Sequence, residues 1–279
     1  MTRVLVAGTR VMSERTVAET RPLVDALVAA GVDAATRPWD DPSAGWTSAD
    51  LVAVRTTWDY TARRGEFLAW ARGVDAATSL QNPLGVLEWN SHKAYLVELA
   101  DAGVPVVPTT LVPAGDPDPT AALGRGRQVV KPAVSAGGRG AHLGDGDALA
   151  GALAGLVAEG DALVQPAVES IGREGEVSLV RLGDSWSHAV RKMPPAGGFL
   201  VHERHGGRLS DHTPTDREVT VAEAALACAP APVHAARVDL VRFDGEPVVM
   251  ELELIEPELF LRRSPDAPRR LAEALLAGL

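Results

Sequence analysis

Asp239, Glu251 and Glu253 stand on two apolar runs, Arg237-Val-Asp-Leu-Val-Arg-Phe243 and Pro247-Val-Val-Met-Glu-Leu-Glu-Leu254, separated by Asp244-Gly245-Glu246. The pattern predicts a β-hairpin. Side chains alternate along a strand, so Glu251 and Glu253 share one face. The turn decides where Asp239 falls. A three-residue loop pairs residue 243 with 247 and sets Asp239 opposite Glu251; a two-residue loop sets Asp239 opposite Met250 and on the other face from Glu251. Carboxylates gathered on an apolar hairpin repel one another and resist desolvation. A divalent cation relieves both, and oxygen donors with no nearby His or Cys favour Mg²⁺ or Mn²⁺ over zinc. From the hairpin alone, a solvated acidic face on an edge strand is an equal reading.

A second group is Gln128-Val-Val-Lys-Pro-Ala-Val-Ser-Ala-Gly-Gly-Arg-Gly140. A strand ending in Lys131 is followed by a small-residue loop, in which Ser135, Gly137, Gly138 and Gly140 let backbone N–H groups approach an anion. The run fits neither the Walker pattern nor the dinucleotide fingerprint. Its two readings are a phosphate cradle and a flexible hairpin tip. A third group, Arg55-Thr-Thr-Trp-Asp-Tyr60, follows an apolar strand. In a parallel sheet such residues face the ligand crevice. Arg55, Thr57 and Asp59 are therefore substrate candidates, Arg55 as a carboxylate clamp and Asp59 as an ammonium partner. His202, Arg204 and His205 lie in a Gly-rich stretch without metal-ligand spacing, and read as ligand or solvent contacts.

The elements that must position these groups follow in order. Strands are expected near residues 3–7, 32–37 and 49–55, with helices near 14–30 and 64–73, an alternation that implies a parallel sheet with crossover helices. A helix is expected to begin at Asn90 or Ser91 as N-cap. Further strands are expected at 128–131, 162–168, 175–181 and 185–192, with helices at 147–159, 215–229 and 264–279. Thr215 and Glu218 have the spacing of a capping box. Residues 193–213 read as irregular.

A chain of 279 residues, 46% hydrophobic and 23% charged, is long enough for one large or two modest cores. Its net charge of −10 and lack of a basic cluster argue against nucleic acid or anionic membrane as partners. The lone Cys228 suits a reducing cytoplasm, and the amino-terminal run lacks the apolar core of a signal peptide.

Taken together, the ordered set resembles the ATP-grasp family of carboxylate–amine ligases. The set is Lys93 after an Asn, the strand-ending Lys131, a glycine flap, a hinge at Gln165-Pro-Ala-Val168 and the late acidic strand. Thr57-Trp-Asp-Tyr60, Ser187-His-Ala-Val-Arg-Lys192 and Glu251-Leu-Glu-Leu-Ile-Glu-Pro257 are most similar to the subgroup containing the cyclo-ligase of cycloserine biosynthesis. The resemblance implies an α/β and α+β chain: an ATP-grasp fold with an N-terminal Rossmann-like (pre-ATP-grasp) domain. Residues 1–87 would form that domain, 88–168 the small subdomain with the flap and 169–279 the subdomain with the metal strand. It implies Lys93 and Lys131 on the phosphates of ATP, Gln165, Ala167 and Val168 at the adenine, and Glu176 at the ribose. Asp239, Glu251 and Glu253 would hold Mg²⁺ or Mn²⁺. Lys131, Arg191, Lys192 and Arg237 would serve catalysis, with His202 near the substrate. Two positions depart from the family: Glu253 replaces an Asn, and Leu200 replaces an Arg, for which Arg191, Lys192 or Arg204 would have to substitute.

The implied activity is phosphoryl transfer from ATP to a carboxylate, then attack by an amine-type nucleophile on the acyl phosphate. The substrate would be a small amino-acid-like molecule, and a homodimer is compatible with the family. Rival readings are a ligase for peptide or protein carboxylates and a non-catalytic nucleotide-binding regulator. Retention of both lysines and all three carboxylates argues against the regulator.

Overall fold

The computed structural model describes residues 1–279, with only the side chain of Arg204 outside the described set. The chain builds three sheets. The first is parallel, β1 (Arg3–Gly8), β2 (Asp33–Pro38), β3 (Leu51–Thr56) and β4 (Ser79–Gln81), in the order β2-β1-β3-β4. Helices α1 (Glu14–Ala29) and α2 (Arg64–Asp75) make its crossovers. Ser13 caps α1 by accepting from the Thr16 N–H at 3.1 Å, satisfying one of the donors that a helix start leaves open. Strand β4 is a short addition to the expected elements; the Gln81-Asn82-Pro83 turn hides it in the sequence.

The second sheet is antiparallel, β5 (Thr110–Val112), β6 (Arg127–Pro132), β7 (His142–Asp145) and β8 (Ala162–Pro166), ordered β5-β8-β6-β7. Helix α5 (Gly146–Glu159) covers it through Leu149, Leu153 and Val157. The third is also antiparallel, with β9 (Glu176–Leu182), β10 (Ser185–Met193), β11 (Arg208–His212), β12 (Ala235–Phe243) and β13 (Glu246–Glu253) in the order β11-β10-β9-β12-β13. Strand β11 falls inside the stretch expected to be irregular. It is a polar edge strand, Arg-Leu-Ser-Asp-His, with no apolar alternation to reveal it.

Four further helices tie the sheets together: α3 (Leu84–Asn90), α4 (Tyr95–Asp101), α6 (Ile171–Glu174) and α7 (Asp216–Ala227). Tyr95, Leu96 and Leu99 share one core with Val221, Ala225 and Leu252, so α4 and α7 pack against the third sheet. Thr215 and Glu218 form the expected capping box. The last helix, α8 (Ala267–Leu276), returns to the first sheet, placing Leu271 and Leu275 among Val4, Leu23 and Leu27. Asn90 does not begin a helix as expected; it ends α3, and its side chain is spent on the third sheet.

Strand β3 is buried along its whole length, and this decides the fate of Arg55. Its side chain is 2% exposed, donates from Nη2 to the Pro257 carbonyl at 2.9 Å and lies 3.5 Å from Glu19. Glu19 in turn accepts from the Leu259 N–H at 2.8 Å. Burial pushes the Glu19 carboxyl up, and Arg55 beside it works against that rise. Arg55 is thus a buried tie between β3, α1 and the segment after β13. Replacing Arg55 with Met leaves Glu19 buried without its cation, a loss of about 3–5 kcal/mol of unfolding free energy in a urea titration. A raised acceptor KM with undiminished stability would contradict this assignment.

Candidate active site

The acidic hairpin combines features of the two turns weighed from the sequence. Phe243 pairs with Glu246 across Asp244 and Gly245, whose φ values of 50° and 84° mark a two-residue turn of the type that follows strand twist. The register then shifts between Asp239 and Leu240: Leu240 pairs with Val249 but Asp239 with Glu251. Met250 is the extra residue of a β-bulge, and the bulge restores Asp239 to the position opposite Glu251.

Asp239, Glu251 and Glu253 line a cavity of about 600 Å³, into which Met250 also projects. The cavity brings together most of the sequence candidates. Lys93, Lys131, Ser135, Gly137 and Gly138 contribute to its lining, as do Gln165, Ala167 and Val168 at the end of β8. Glu176, Lys192, Arg237 and His202 complete the expected set. Gly140 is not in the lining; at φ +71° it turns the chain where a Cβ would stand 2.9 Å from Pro132 Cγ. Arg191 alternates to the other face of β10 from Lys192. It donates to the Glu174 carbonyl and, at 3.1 Å, to His212 Nδ1, whose Nε2 donates to Glu218 at 2.9 Å. Arg55, Thr57 and Asp59, expected at the substrate, are outside this cavity. Arg55 and Thr57 are buried, and Asp59 accepts from Trp39 Nε1 at 3.1 Å. The side chain of Arg204 lies outside the described residues.

The carboxylates are neutralised by the protein's own cations rather than converging on a common point. Among the described residues, no group of three His, Cys, Asp or Glu is placed to hold a metal. Asp239 is 2% exposed and accepts from Arg237 Nε and Nη2, both at 2.9 Å, from Lys192 at 3.1 Å and from Ser178. Burial works to raise its pKa, but Arg237 and Lys192 hold it well below the usual carboxylate range. Glu251 pairs with Lys93 at 3.1 Å; burial again opposes ionisation, and Lys93 and Lys131 outweigh it. Glu253 bonds to Arg237, yet burial dominates there and pushes its carboxyl up. Glu176 pairs with Lys192 and is likewise pushed up by burial.

Lys131 differs from the other cavity lysines. It has no hydrogen bond or ion pair among the described residues, although Glu251 attracts it from a distance. Burial lowers its pKa to about 8. An unpaired, partly buried ammonium beside a glycine flap is suited to receive an anion. Oxygen donors from Glu251 and Glu253, whose side chains are 25% and 26% exposed, also fit a hard divalent cation. Asp239 has its acceptor capacity filled, so it would join such an ion only by exchanging Lys192 or Arg237.

Sequence reasoning missed several lining residues. Arg127 stands at the start of β6, Arg139 within the flap and Arg208 at the start of β11, and residues 193–201, of which the sequence had singled out only Leu200, form a continuous part of the wall. Leu200 apart, the signal for the last was the absence of charge between Met193 and Val201.

Comparison with known proteins agrees with this geometry. Residues 4–82 match the family model for the N-terminal domain of D-cycloserine synthetase DcsG. The chain is 35% identical to the cycloserine biosynthesis protein DcsG of Streptomyces lavendulae, covering 92% of this chain and 93% of that protein. The crystal structure of D-cycloserine synthetase DcsG superposes with a TM-score of 0.89 at 30% identity, covering 99% of both chains. The ATP-grasp ligase PsnB, in a complex with Mg, ADP and a phosphomimetic variant of its minimal precursor, shares the fold. Its TM-score is 0.66 at 18% identity, over 100% of this chain and 99% of that one. The chain belongs to the cycloserine synthetase subgroup of the ATP-grasp ligases.

Proposed function

We propose that the protein activates the carboxylate of a small amino-acid-like molecule with ATP and joins it to an amine-type nucleophile. A substrate carboxylate oxygen attacks the γ-phosphorus of ATP, the bond to the ADP oxygen breaks, and an acyl phosphate forms. The nucleophile's nitrogen then attacks the acyl carbon, loses a proton, and phosphate leaves. The observation that carries this reading is Lys131, an unpaired cation beside the glycine flap and within the field of Glu251. Such chemistry needs positioning and charge neutralisation rather than a protein nucleophile.

In this reading Lys93 and Lys131 hold the phosphates, and the backbone of residues 135–140 covers them. Gln165, Ala167 and Val168 meet the adenine, and Glu176 meets the ribose. Arg237 and Lys192 stabilise the charge that develops at the acyl carbon and the transferring phosphoryl group. Glu251 and Glu253 hold Mg²⁺ or Mn²⁺, which when bound neutralises phosphate charge. The cavity of about 600 Å³ suits a nucleotide with a small acceptor rather than a folded protein. The relative's role in cycloserine biosynthesis supports ring closure within an O-substituted serine.

The test is release of phosphate from ATP with a panel of amino acids and their O-substituted derivatives, in Mg²⁺ and in Mn²⁺. Glu251→Gln should abolish turnover while leaving the thermal midpoint within a few degrees. Full activity in that variant with metal still required would remove Glu251 from the metal strand.

Lys131 supplies a pH signature. It is charged below about pH 8 and loses its proton as the pH rises through that value, so the phosphate complex, which favours the charged form, weakens. The nucleotide Kd should rise about tenfold per pH unit above about 8, with proton uptake on binding visible in calorimetry. Lys131→Arg, charged throughout, should flatten the profile. A flat wild-type profile between pH 7 and 9 would contradict the phosphate role of Lys131.

A further inference from the structure

Arg191 carries a charge that the cavity does not use. Neighbours on a strand point to opposite faces, so Lys192 enters the cavity from β10 and Arg191 leaves it. The guanidinium instead spans two partners. One arm donates to the carbonyl of Glu174, the last residue of α6, and the other donates to His212 Nδ1 at 3.1 Å. A guanidinium can only donate, so Nδ1 accepts and the ring proton sits on Nε2, which donates to Glu218 at 2.9 Å. Glu218 is buried and also accepts from the Thr215 N–H at 2.8 Å. Burial opposes its ionisation, and the bonds from His212 and Thr215 outweigh that and hold its carboxyl low. The contacts therefore run from the start of α7 through β11 and β10 to the end of α6, outside the cavity throughout.

What this brace holds is the entry to β9. Helix α6 is a single turn, too short to be stable alone, and each of its ends is tied from outside. Ser170 Oγ donates to the Arg242 carbonyl at its start, and Arg191 satisfies a carbonyl that the helix end leaves open. Gly175 follows at φ +74°, where a Cβ would stand 2.5 Å from the Lys192 carbonyl. Next comes Glu176, which lines the cavity and pairs with Lys192. The backbone thus passes from Glu174 to Glu176 pressed against β10, and a shift at the Glu174 carbonyl moves the Glu176 carboxylate. We propose that Arg191, oriented by His212 and Glu218, is a positioning residue that sets Glu176 for the ribose hydroxyls of the nucleotide without touching the ligand. The proposal rests on the ligase reading, in which Glu176 meets the ribose, and it separates Arg191 from the charge stabilisation given to Lys192 and Arg237. Hydrogen bonds weaken steeply with poor alignment, so the ribose contact is the one that a displaced Glu176 loses. In that reading the adenine and the phosphates are held by other residues, from the hinge and from Lys93 and Lys131.

The test compares ADP with 2′,3′-dideoxy-ADP, each with Mg²⁺, binding to the full chain in a calorimeter. The wild type should bind ADP at least about tenfold more tightly, the loss expected when hydrogen bonds to a charged group are removed. Arg191→Met should weaken ADP about tenfold, so that the preference collapses. The dideoxy nucleotide should stay within about twofold of its wild-type Kd, because its contacts are independent of Glu176. Arg191→Lys keeps the charge but cannot span both partners, and should behave as Arg191→Met does. Full recovery by the lysine would mean that the charge acts on the ligand, and would overturn the inference. Equal weakening of both nucleotides in Arg191→Met, or an unchanged preference, would also overturn it and leave the ligase reading standing. A wild type that binds the two nucleotides alike would remove Glu176 from the ribose and end the inference there. A wild type that binds neither would overturn the ligase reading and this inference with it. If Arg191→Met does not fold, His212→Phe decides, since it removes the acceptor that orients Arg191. The preference should then fall at least about threefold, and an unchanged preference would overturn the inference.

Discussion

The site depends on how the open edge of β13 is satisfied. This strand carries Glu251 and Glu253 and is the last in its sheet, so one row of its backbone groups has no neighbouring strand. The chain supplies partners piecemeal. The Asn90 side chain donates to the Leu252 carbonyl and accepts from the Leu254 N–H, both at 2.8 Å, while the Tyr95 hydroxyl accepts from the Leu252 N–H at 3.0 Å. Farther along, the Pro105 carbonyl accepts from the Val249 N–H at 2.9 Å, and the Val107 N–H donates to the Val249 carbonyl at 3.0 Å. Asn82 grips the strand's exit and the start of β12, bonding to the Leu254 and Ala235 carbonyls. These bonds fix the strand on both sides of the bulge. They leave the acidic face to the cavity and cover the edge that would otherwise invite another strand.

With the strand fixed, burial and charge compete at each carboxylate, and the outcomes differ for stated reasons. Asp239 remains ionised because two cations and a hydroxyl surround it. Glu253 shares Arg237 with Asp239, and burial wins there. Glu256, farther along the same segment, is pushed to about 8 by burial and then by the charge of Glu253. The cleft thus holds its carboxylates in graded states, and Arg237 is the pivot between two of them. Removing Arg237 would strand buried Asp239 and partly buried Glu253 at once, so its role in the fold cannot be separated from the catalytic role proposed for it.

Much of this was legible in the sequence because it rests on short-range patterns. The acidic hairpin, the strand ending at Lys131, the glycine loop and the Thr215 cap each announce themselves within a few residues. What was not legible depends on long-range placement. Arg55 looks like a crevice residue until β3 is seen to be buried on both faces and Glu19 to reach it from α1. Asn90 has the spacing of a helix cap, and only the folded chain brings Leu252 and Leu254 to it. The bulge at Met250 was open because turn length alone could not fix the register. Apart from Leu200, residues 193–201 carried no motif, and an uncharged wall gains meaning only beside a charged one.

The two departures from the family pattern act in the same direction. On the pattern the resemblance implies, Glu253 in place of Asn adds a carboxyl whose burial favours its proton, and so at most part of a negative charge, while Leu200 in place of Arg removes a positive one. Each unit charge at about 7 Å contributes about 2 kcal/mol at an effective dielectric of about 20. A cleft made more negative in this way repels an uncomplexed nucleotide more strongly than it repels the metal complex, which carries less net charge. On the same reading it would also gain affinity for the cation proposed to sit at Glu251 and Glu253. On the proposed ligase reading, nucleotide and metal binding would therefore be more tightly coupled here than in a cleft with the Asn and Arg that the resemblance implies. With Arg237 and Lys192 already committed to Asp239, Glu253 and Glu176, the positive charge left along the cavity lies at Lys131 and, farther out, at Arg127, Arg139 and Arg208. The remaining neutralisation has to arrive with the ligand.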